Sequence, residues 1–315
     1  MNMKENSIFS PRNEVVLGTL RRTDDDRTVA YAVCGDPNSG MPVLFFYAGG
    51  GNRRLLSSLS TATKRASLFM ICVNRPGTGG TSPPLRRTTA ATVAAVCEDA
   101  AAVLDELGVA RVGLFFMCAG TPFALAFASQ CASRLTGKAV GVAPYVQPAD
   151  CPRAKALHRF GSLICCPRWL VSHLVGGVFW SAGMSLSSLP NSVVISEMKR
   201  KLTDKEREAF DEKFSKEDFV KDMAWMFAEG SAAASDVDVL MSPSADIGIK
   251  YPSVDACDVK ILHGEYDQMT PIAASEWLAK QLPSATLTRL EGTHEGTLFL
   301  LHQPIVEAIE WLGKV

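Results

Sequence analysis

The sequence predicts an α/β fold with a mostly parallel central sheet flanked by helices and interrupted by a helical cap. In the first half of the chain, short apolar runs alternate with helical patterns, which is typical of βαβ units. After Gln147 this alternation gives way to Pro-bounded segments rich in Lys and Glu, and it returns at Val259. We therefore expect a first core part at 1–146, a helical cap at 147–249 and a second core part at 250–315.

Local patterns predict the individual elements in order. An opening hairpin joins apolar runs at 15–17 and 28–33 through a charged turn, and it suits the antiparallel edge of the sheet. Apolar or β-branched runs predict further strands at 43–47, 69–73, 112–116, 259–262 and 285–290. Helical periodicity and Pro or Gly boundaries predict helices at 88–107, 119–129, 202–214, 271–282 and 298–312.

Composition excludes disorder and argues against nucleic acid as a partner. Of the 315 residues, 47% are hydrophobic and 21% are charged, so the chain has enough apolar sequence for a large core. Lys and Arg total 32 against 33 for Asp and Glu, which gives a formal charge of -1. No global field therefore favours phosphate backbones or anionic lipid.

The cysteines and the apolar segments indicate a cytoplasmic protein without a membrane span. Nine cysteines are an odd number with no paired CxxC framework, and Cys72 and Cys97 lie in apolar runs where a reduced thiol behaves as a small hydrophobe. Residues 1–14 are polar and contain Pro11, unlike a secretory or transit peptide. The most apolar window, 169–184, is interrupted by Ser, His and Gly and falls short of a membrane span.

Cys118 lies between a predicted buried strand and a predicted helix. Residues 116–120 read F-M-C-A-G, which matches the strand, nucleophile and helix order of a G-x-S-x-G turn with Cys in place of Ser. Such a turn lifts one side chain over the helix N-terminus, where a thiolate is favoured. The structural alternative is a core cysteine, because buried thiols commonly follow apolar strands.

An acidic residue and a histidine follow Cys118 at the ends of later strands. Asp267 comes just after the strand predicted at 259–262, and His294 comes between the last predicted strand and the last predicted helix. The order nucleophile, acid, histidine is that of a hydrolytic triad. Taken singly, Asp267 also suits a turn before Pro271, and His294 also suits a helix start.

In these residues and motifs, the chain resembles the α/β-hydrolase superfamily, which includes esterases, lactonases and epoxide hydrolases. The resemblance covers nearly the whole chain outside the insertion. It rests on the glycine-rich loop after Phe46, on the segment 74–79, which is similar to D-R-P-G-x-G, and on the positions of Cys118, Asp267 and His294.

The resemblance implies a mechanism and a set of site residues. Cys118 is the implied nucleophile, His294 the implied base and Asp267 the acid that orients the base. The implied oxyanion hole consists of backbone N–H groups, from Ala119 and from Gly49 or Ala48. No metal or organic cofactor is expected, because Cys165, Cys166 and the scattered histidines show no ligand spacing.

The sequence departs from the family pattern at three places. Tyr47 and Ala48 stand where the family has His-Gly at the start of the oxyanion loop, and Asn74 stands where it has Asp. Phe116 replaces the small residue two positions before the nucleophile. We expect the bulk of Phe116 to crowd the turn against the facing helix.

Aromatic side chains of the loop and of the predicted cap are the candidates for substrate binding. They are Tyr47, Trp169, Phe179, Trp180 and Trp225. This set favours a small, fairly apolar acyl substrate held under the cap. His263 precedes a glycine at a strand end, where we expect a buried and hydrogen-bonded ring rather than a catalytic one.

The sequence therefore predicts a cysteine-dependent hydrolase of small esters, thioesters or lactones. Two alternatives stay open. One is an acyltransferase or cyclase that uses the same three residues. The other is an inactive homologue that binds a ligand in the same pocket, for which Phe116, Tyr47 and Ala48 are the best arguments.

Overall fold

The computed structural model describes residues 14–86, 88–151, 153, 190–227, 233–251, 257–300 and 303–314. Eight strands form one sheet: β1 (Val16–Arg21), β2 (Thr28–Gly35), β3 (Met41–Phe46), β4 (Leu68–Val73), β5 (Val112–Met117), β6 (Leu135–Val142), β7 (Asp258–Gly264) and β8 (Ala285–Leu290). Their spatial order is β1-β2-β4-β3-β5-β6-β7-β8. The pairs β1/β2 and β2/β4 are antiparallel, and the remaining pairs are parallel.

The opening hairpin forms the antiparallel edge, as predicted. Its strands pair from Val16 with Val33 to Arg21 with Thr28, and the turn between them has a positive φ of 61° at Asp26. Two arginines next to this turn reach the buried carboxylate of Asp99. Arg22 Nη1 lies 2.9 Å and Arg27 Nη1 2.8 Å from Asp99 Oδ1. These buried ion pairs tie the edge of the sheet to the helix that carries Asp99.

The helices lie between the strands of the core and in the long segment between β6 and β7. Those of the first core part are α1 (Ser60–Arg65), α2 (Thr89–Glu106) and α3 (Thr121–Gln130). Those between β6 and β7 are α4 (Asn191–Arg200), α5 (Asp204–Lys213), α6 (Lys216–Phe227) and α7 (Ala233–Leu240). Those of the second core part are α8 (Ile272–Gln281), α9 (His294–Phe299) and α10 (Gln303–Leu312). None of the helices in the described ranges is long and apolar enough to cross a bilayer.

Both faces of the sheet are covered, which explains the nearly continuous apolar runs of the parallel strands. Side chains alternate along β3, so Val43 and Phe45 join one buried cluster while Leu44 and Phe46 join the other. Helices α1 and α10 pack in the first cluster, and helices α2, α3 and α8 pack in the second. The central strands are therefore held rigidly between two apolar layers.

Strand β6 lies outside the elements predicted from the sequence. Its first half contains Gly137, with a φ of 92°, and the charged Lys138, so its apolar run is too short to stand out. The C-terminal helix also differs from the prediction of one helix over 298–312, because α9 begins four residues earlier, at His294, and ends at Phe299. Thr293 caps α9 by accepting a hydrogen bond from the Gly296 N–H.

Phe116 is accommodated within the sheet, which corrects the expectation that it crowds the facing helix. It pairs with Gly141 of the neighbouring strand β6 and is 1% exposed. A Cβ atom on Gly141 would lie 2.3 Å from the Phe116 ring. The missing side chain of Gly141 therefore provides the room that the phenyl ring occupies.

We predict that Gly141→Ala destabilises the protein by about 1–3 kcal/mol, because the added methyl group overlaps the Phe116 ring. Urea unfolding measures the loss of stability. The double variant Gly141→Ala/Phe116→Leu should lose less stability than the sum of the two single variants, because the smaller side chain leaves room for the added methyl group. Gly113→Ala on β5 is the matched control, since the nearest atom to its added Cβ lies 3.4 Å away. Equal stability of Gly141→Ala and the parent protein would contradict this packing.

Candidate active site

The carboxyl ends of the parallel strands bring the three predicted triad residues to one edge of the sheet. Cys118 directly follows β5, Asp267 follows β7, and His294 follows β8 as the first residue of α9. β5 lies between β3 and β6, and β7 lies between β6 and β8. Residues far apart in the chain therefore meet at the end of the sheet, where open α/β sheets bind ligands.

The backbone at Cys118 has a left-handed conformation that is uncommon for a residue with a side chain. Its φ is 46°, and such a conformation costs of order 1–3 kcal/mol. The carbonyl of Cys118 accepts hydrogen bonds from Thr121 Oγ1 at 2.7 Å and from the Tyr145 N–H at 3.2 Å. These bonds hold the sharp turn between β5 and α3, with Cys118 7% exposed.

Close packing places the glycine-rich loop against this turn. A Cβ atom on Gly120 would lie 2.2 Å from the Phe46 carbonyl oxygen, so only glycine permits the approach. On the other side, a Cβ atom on Gly49 would lie 3.2 Å from Ala119 Cβ. The structure therefore brings together the predicted oxyanion-hole residues Gly49 and Ala119, with Ala48 next to Gly49.

His294 lies between Cys118 and Asp267. Its Nδ1 is 2.6 Å from Asp267 Oδ2, and the Cys118 side chain is near enough to interact electrostatically with the ring. Because Nδ1 is engaged by the carboxylate, Nε2 is the ring nitrogen left to exchange a proton with the thiol. The histidine is 5% exposed and Asp267 is 7% exposed, so both groups interact away from bulk water.

Asp267 is fixed by its own loop. Its Oδ1 accepts hydrogen bonds from the backbone N–H groups of Met269 and Thr270, at 2.8 and 2.7 Å. Thr270 Oγ1 donates to Asp267 Oδ2 at 2.9 Å and lies 3.2 Å from His294 Nδ1. Thr270 was not among the predicted site residues, although an Asp followed three residues later by Thr-Pro is a recognisable sign of such a turn.

His263 is a second buried histidine that contacts Asp267. The ring is fully buried, with Nδ1 2.6 Å from Ser275 Oγ and Nε2 2.6 Å from the Thr270 carbonyl oxygen. Its Nε2 also lies 3.4 Å from Asp267 Oδ2. The prediction of a buried, hydrogen-bonded ring at this strand end is confirmed.

The electrostatics of the site favour a charged histidine. Burial of the His294 ring favours its neutral form, yet the electrostatic interaction with Cys118 and the hydrogen bond to Asp267 outweigh burial and raise the pKa of His294 to about 10. Burial likewise opposes the charge of Asp267, but hydrogen bonds from His263 and His294 hold the pKa of Asp267 below its ordinary value. The surroundings therefore favour a protonated His294 ring next to an ionised Asp267 carboxylate.

Tyr47 is part of the protein interior. It is 1% exposed, its hydroxyl accepts a hydrogen bond from the Arg75 N–H at 2.8 Å, and the Arg75 guanidinium lies 4.2 Å from its ring centroid. Arg75 also donates to the Tyr47 carbonyl and forms a buried ion pair with Asp236 of α7. The tyrosine at the place of the family's histidine therefore anchors the start of the glycine-rich loop.

Asn74, which stands where the family pattern has Asp, makes hydrogen bonds through both the oxygen and the nitrogen of its amide. Its Oδ1 accepts a hydrogen bond from the Arg53 N–H at 2.5 Å, and its Nδ2 donates to the carbonyls of Thr78 and Gly79 at 3.4 and 3.3 Å. An aspartate could not donate to those carbonyls. Asn74 thus joins the loop after β4 to the short helix that begins at Arg53.

Of the aromatic candidates for substrate binding, Trp225 lies against the short helix Arg53–Leu59 that follows the glycine-rich loop. The guanidinium carbon of Arg54 is 4.9 Å from the Trp225 ring centroid, and Arg54 Nη1 lies 3.4 Å from the Trp225 carbonyl oxygen. Trp169, Phe179 and Trp180 lie outside the described residues. Within the described ranges, no group of three His, Cys, Asp or Glu side chains is placed to hold a metal ion.

The sheet order and the turn after β5 define this chain as a protein with the α/β-hydrolase fold. An α/β-hydrolase fold protein from Chitinophaga pinensis has a TM-score of 0.63 at 19% identity, over 94% of this chain and 97% of that chain. A thermophilic esterase from Thermogutta terrifontis has a TM-score of 0.59 at 19% identity, over 94% and 98%. An enol-lactonase from Burkholderia xenovorans has a TM-score of 0.59 at 12% identity, over 93% and 97%. No family model and no curated protein matches the chain.

We predict that Cys118→Ala lowers the pKa of His294, because it removes the electrostatic interaction with the Cys118 side chain that raises this pKa. NMR titration of the ring, assigned with His294→Gln, measures the change, and Cys131→Ala is the control. Since the folded-state pKa of about 10 lies above the ordinary 6.5, stabilisation by the charged ring is complete below pH 6.5 and is lost as the pH rises through 10. An unchanged titration in Cys118→Ala would show that the thiol does not interact with the ring.

Proposed function

We propose that this protein is a cysteine-dependent hydrolase of small esters, thioesters or lactones. The observation that carries the proposal is the position of His294, which makes a hydrogen bond to Asp267 and also interacts electrostatically with the Cys118 side chain. A cysteine that only packs in the core would need neither a histidine beside it nor an aspartate hydrogen-bonded to that histidine. The left-handed turn at Cys118 and the neighbouring glycine-rich loop add independent support.

In the proposed acylation step, Asp267 holds the His294 Nδ1–H. Transfer of the Cys118 thiol proton to Nε2 gives the imidazolium form that the raised pKa of His294 favours, and it leaves Cys118 as the thiolate. The thiolate attacks the acyl carbon, a C–S bond forms, and the carbonyl electron pair moves onto oxygen. Backbone N–H groups of Ala119 and of Gly49 or Ala48 meet that oxyanion, and loss of such a donor typically costs about 3–4 kcal/mol. The intermediate collapses, and the leaving group departs with the proton from His294.

Deacylation then uses water. His294 takes a proton from the water molecule, the resulting hydroxide attacks the acyl carbon, and the C–S bond breaks. The acid leaves, and Cys118 recovers its proton from His294. If a second substrate with a hydroxyl, amine or thiol replaces water, the same acyl-enzyme gives acyl transfer or cyclisation.

A sulfur nucleophile limits the substrate class. In the tetrahedral intermediate a thiolate leaves more readily than an alkoxide, so alkyl esters tend to return to substrate. Thioesters, enol lactones and aryl esters carry better leaving groups. The esterase and enol-lactonase among the similar structures are consistent with this class, although their low identities support only the fold.

The helices between β6 and β7 are the proposed cap over the site. Trp225 of α6 contacts Arg54 in the short helix after the glycine-rich loop, and Asp236 of α7 pairs with Arg75 in the loop after β4. A cap held by such contacts suits a small, fairly apolar acyl group bound near Cys118. The free cysteines of the described ranges suit a reducing compartment such as the cytoplasm.

We predict that a small activated ester, such as 4-nitrophenyl acetate, or a short-chain thioester acylates Cys118. Intact-mass measurement after brief incubation, followed by peptide mapping, should find one acyl group per chain on this residue, and the adduct should clear with time. Cys118→Ala should give no adduct. Cys131→Ala, which removes a partly exposed cysteine outside the site, should behave as the parent protein.

The other outcomes distinguish the remaining functions. A stable adduct on Cys118 would indicate acyl transfer to an acceptor that is absent from the assay. Alkylation of other cysteines without an adduct on Cys118 would contradict the proposal and favour a ligand-binding protein with this fold.

A further inference from the structure

Glu206 of α5 is a buried carboxylate that has no part in the proposed reaction. It is 1% exposed, although glutamate is rarely buried unless its oxygens are paired. Its Oε1 accepts a hydrogen bond from the Thr293 N–H at 2.9 Å, and its Oε2 accepts one from Thr293 Oγ1 at 3.0 Å. Thr293 is the residue directly before His294.

The same carboxylate also binds the start of its own helix. Glu206 Oε2 accepts from the Thr203 N–H at 2.9 Å and from Thr203 Oγ1 at 3.0 Å, while Thr203 Oγ1 also accepts from the Glu206 N–H. This is the capping box of α5. One negative charge therefore lies at the N-termini of both α5 and α9, where helix dipoles favour it.

Gly296, two residues after His294, leaves space for this carboxylate. A Cβ atom on Gly296 would lie 1.6 Å from Glu206 Oε1, so the oxygen occupies the space of the missing side chain. The Gly296 N–H in turn donates to Thr293 Oγ1 at 3.1 Å. Thr293 is thus held by Glu206 through both its backbone and its side chain.

Ion pairs around Glu206 join the same two segments near the surface. Lys201 Nζ lies 3.1 Å from Glu295 Oε1, and Lys205 Nζ lies 2.8 Å from Glu291 Oε2. Such solvent-exposed pairs contribute little. The buried carboxylate of Glu206 is the contact that reaches the backbone from which the His294 ring extends.

We propose that Glu206 is a positioning residue for His294, through which docking of α5 sets the orientation of the histidine between Cys118 and Asp267. Thr293 precedes His294 directly, so a displacement of Thr293 moves the ring relative to both partners. Displacements of about 1 Å in a catalytic site can cost a hundredfold in rate. The inference rests on the proposed function, since it assigns the positioning to a catalytic base.

Glu206→Gln tests the proposal with little change in size. Glutamine offers one acceptor oxygen where the carboxylate offers two, and its NH₂ group would face a donor. We expect the rate of Cys118 acylation to fall about tenfold to a hundredfold with the reagent KM nearly unchanged. The pKa of His294 should fall as well, because the hydrogen bonds that raise it are weakened. Glu208→Gln, at an exposed position of the same helix, should match the parent protein in both measurements.

Thr203→Ala separates positioning from stability. It removes a hydroxyl from the same carboxylate on the α5 side and leaves both Thr293 donors in place. We expect Thr203→Ala to lower the Tm while the acylation rate and the His294 titration stay near those of the parent. The positioning role is wrong if the acylation rate falls in proportion to the loss of Tm in both Glu206→Gln and Thr203→Ala. It is also wrong if Glu206→Gln acylates like the parent protein.

The two proposals fail in distinguishable ways. If the parent protein does not acylate at Cys118, the proposed function is contradicted, and the His294 titration still reports on positioning. In that case Glu206→Gln should still lower the His294 pKa relative to Glu208→Gln. An unchanged titration in Glu206→Gln would overturn the inference about Glu206 whatever the activity of the parent.

Discussion

The left-handed backbone at Cys118 is the constraint on which the rest of the site depends. A φ of 46° at a residue with a side chain is unfavourable, and the surrounding packing maintains it. Gly120 lets the Phe46 carbonyl approach the turn, Gly141 gives Phe116 its space, and Thr121 holds the Cys118 carbonyl. The sheet and its glycines thus stabilise one sharp turn that lifts a thiol to the edge where the loops meet.

Around that turn, the buried carboxylates have hydrogen-bond or ion-pair partners. Asp267 receives hydrogen bonds from its own loop and from His294, and His263 lies against it from the interior. The helices between β6 and β7 contribute further buried carboxylates, Glu206 next to Thr293 and Asp236 paired with Arg75. A buried charge without a partner is costly, so these contacts couple the placement of those helices to the geometry of the site.

Much of the fold and the core of the site could be predicted from the sequence, because both depend on local patterns. Apolar runs and chain order placed Cys118, Asp267 and His294 at strand ends. Strand β6 escaped prediction because Gly137 and Lys138 interrupt its pattern. Glu206 and Asp236 escaped because their partners lie 87 and 161 residues away, and an ordinary surface helix would have a similar sequence.

Formation of an acyl-enzyme by His294 and Cys118 acting together is the step on which the proposed function depends. Pre-steady-state release of 4-nitrophenol from 4-nitrophenyl acetate, measured by stopped flow, tests it most directly. We expect a burst of about one equivalent per active chain, since each nucleophile is acylated once before turnover. The burst should be absent in Cys118→Ala and strongly slowed in His294→Asn. A burst of equal size and rate in either variant would contradict the acyl-enzyme mechanism.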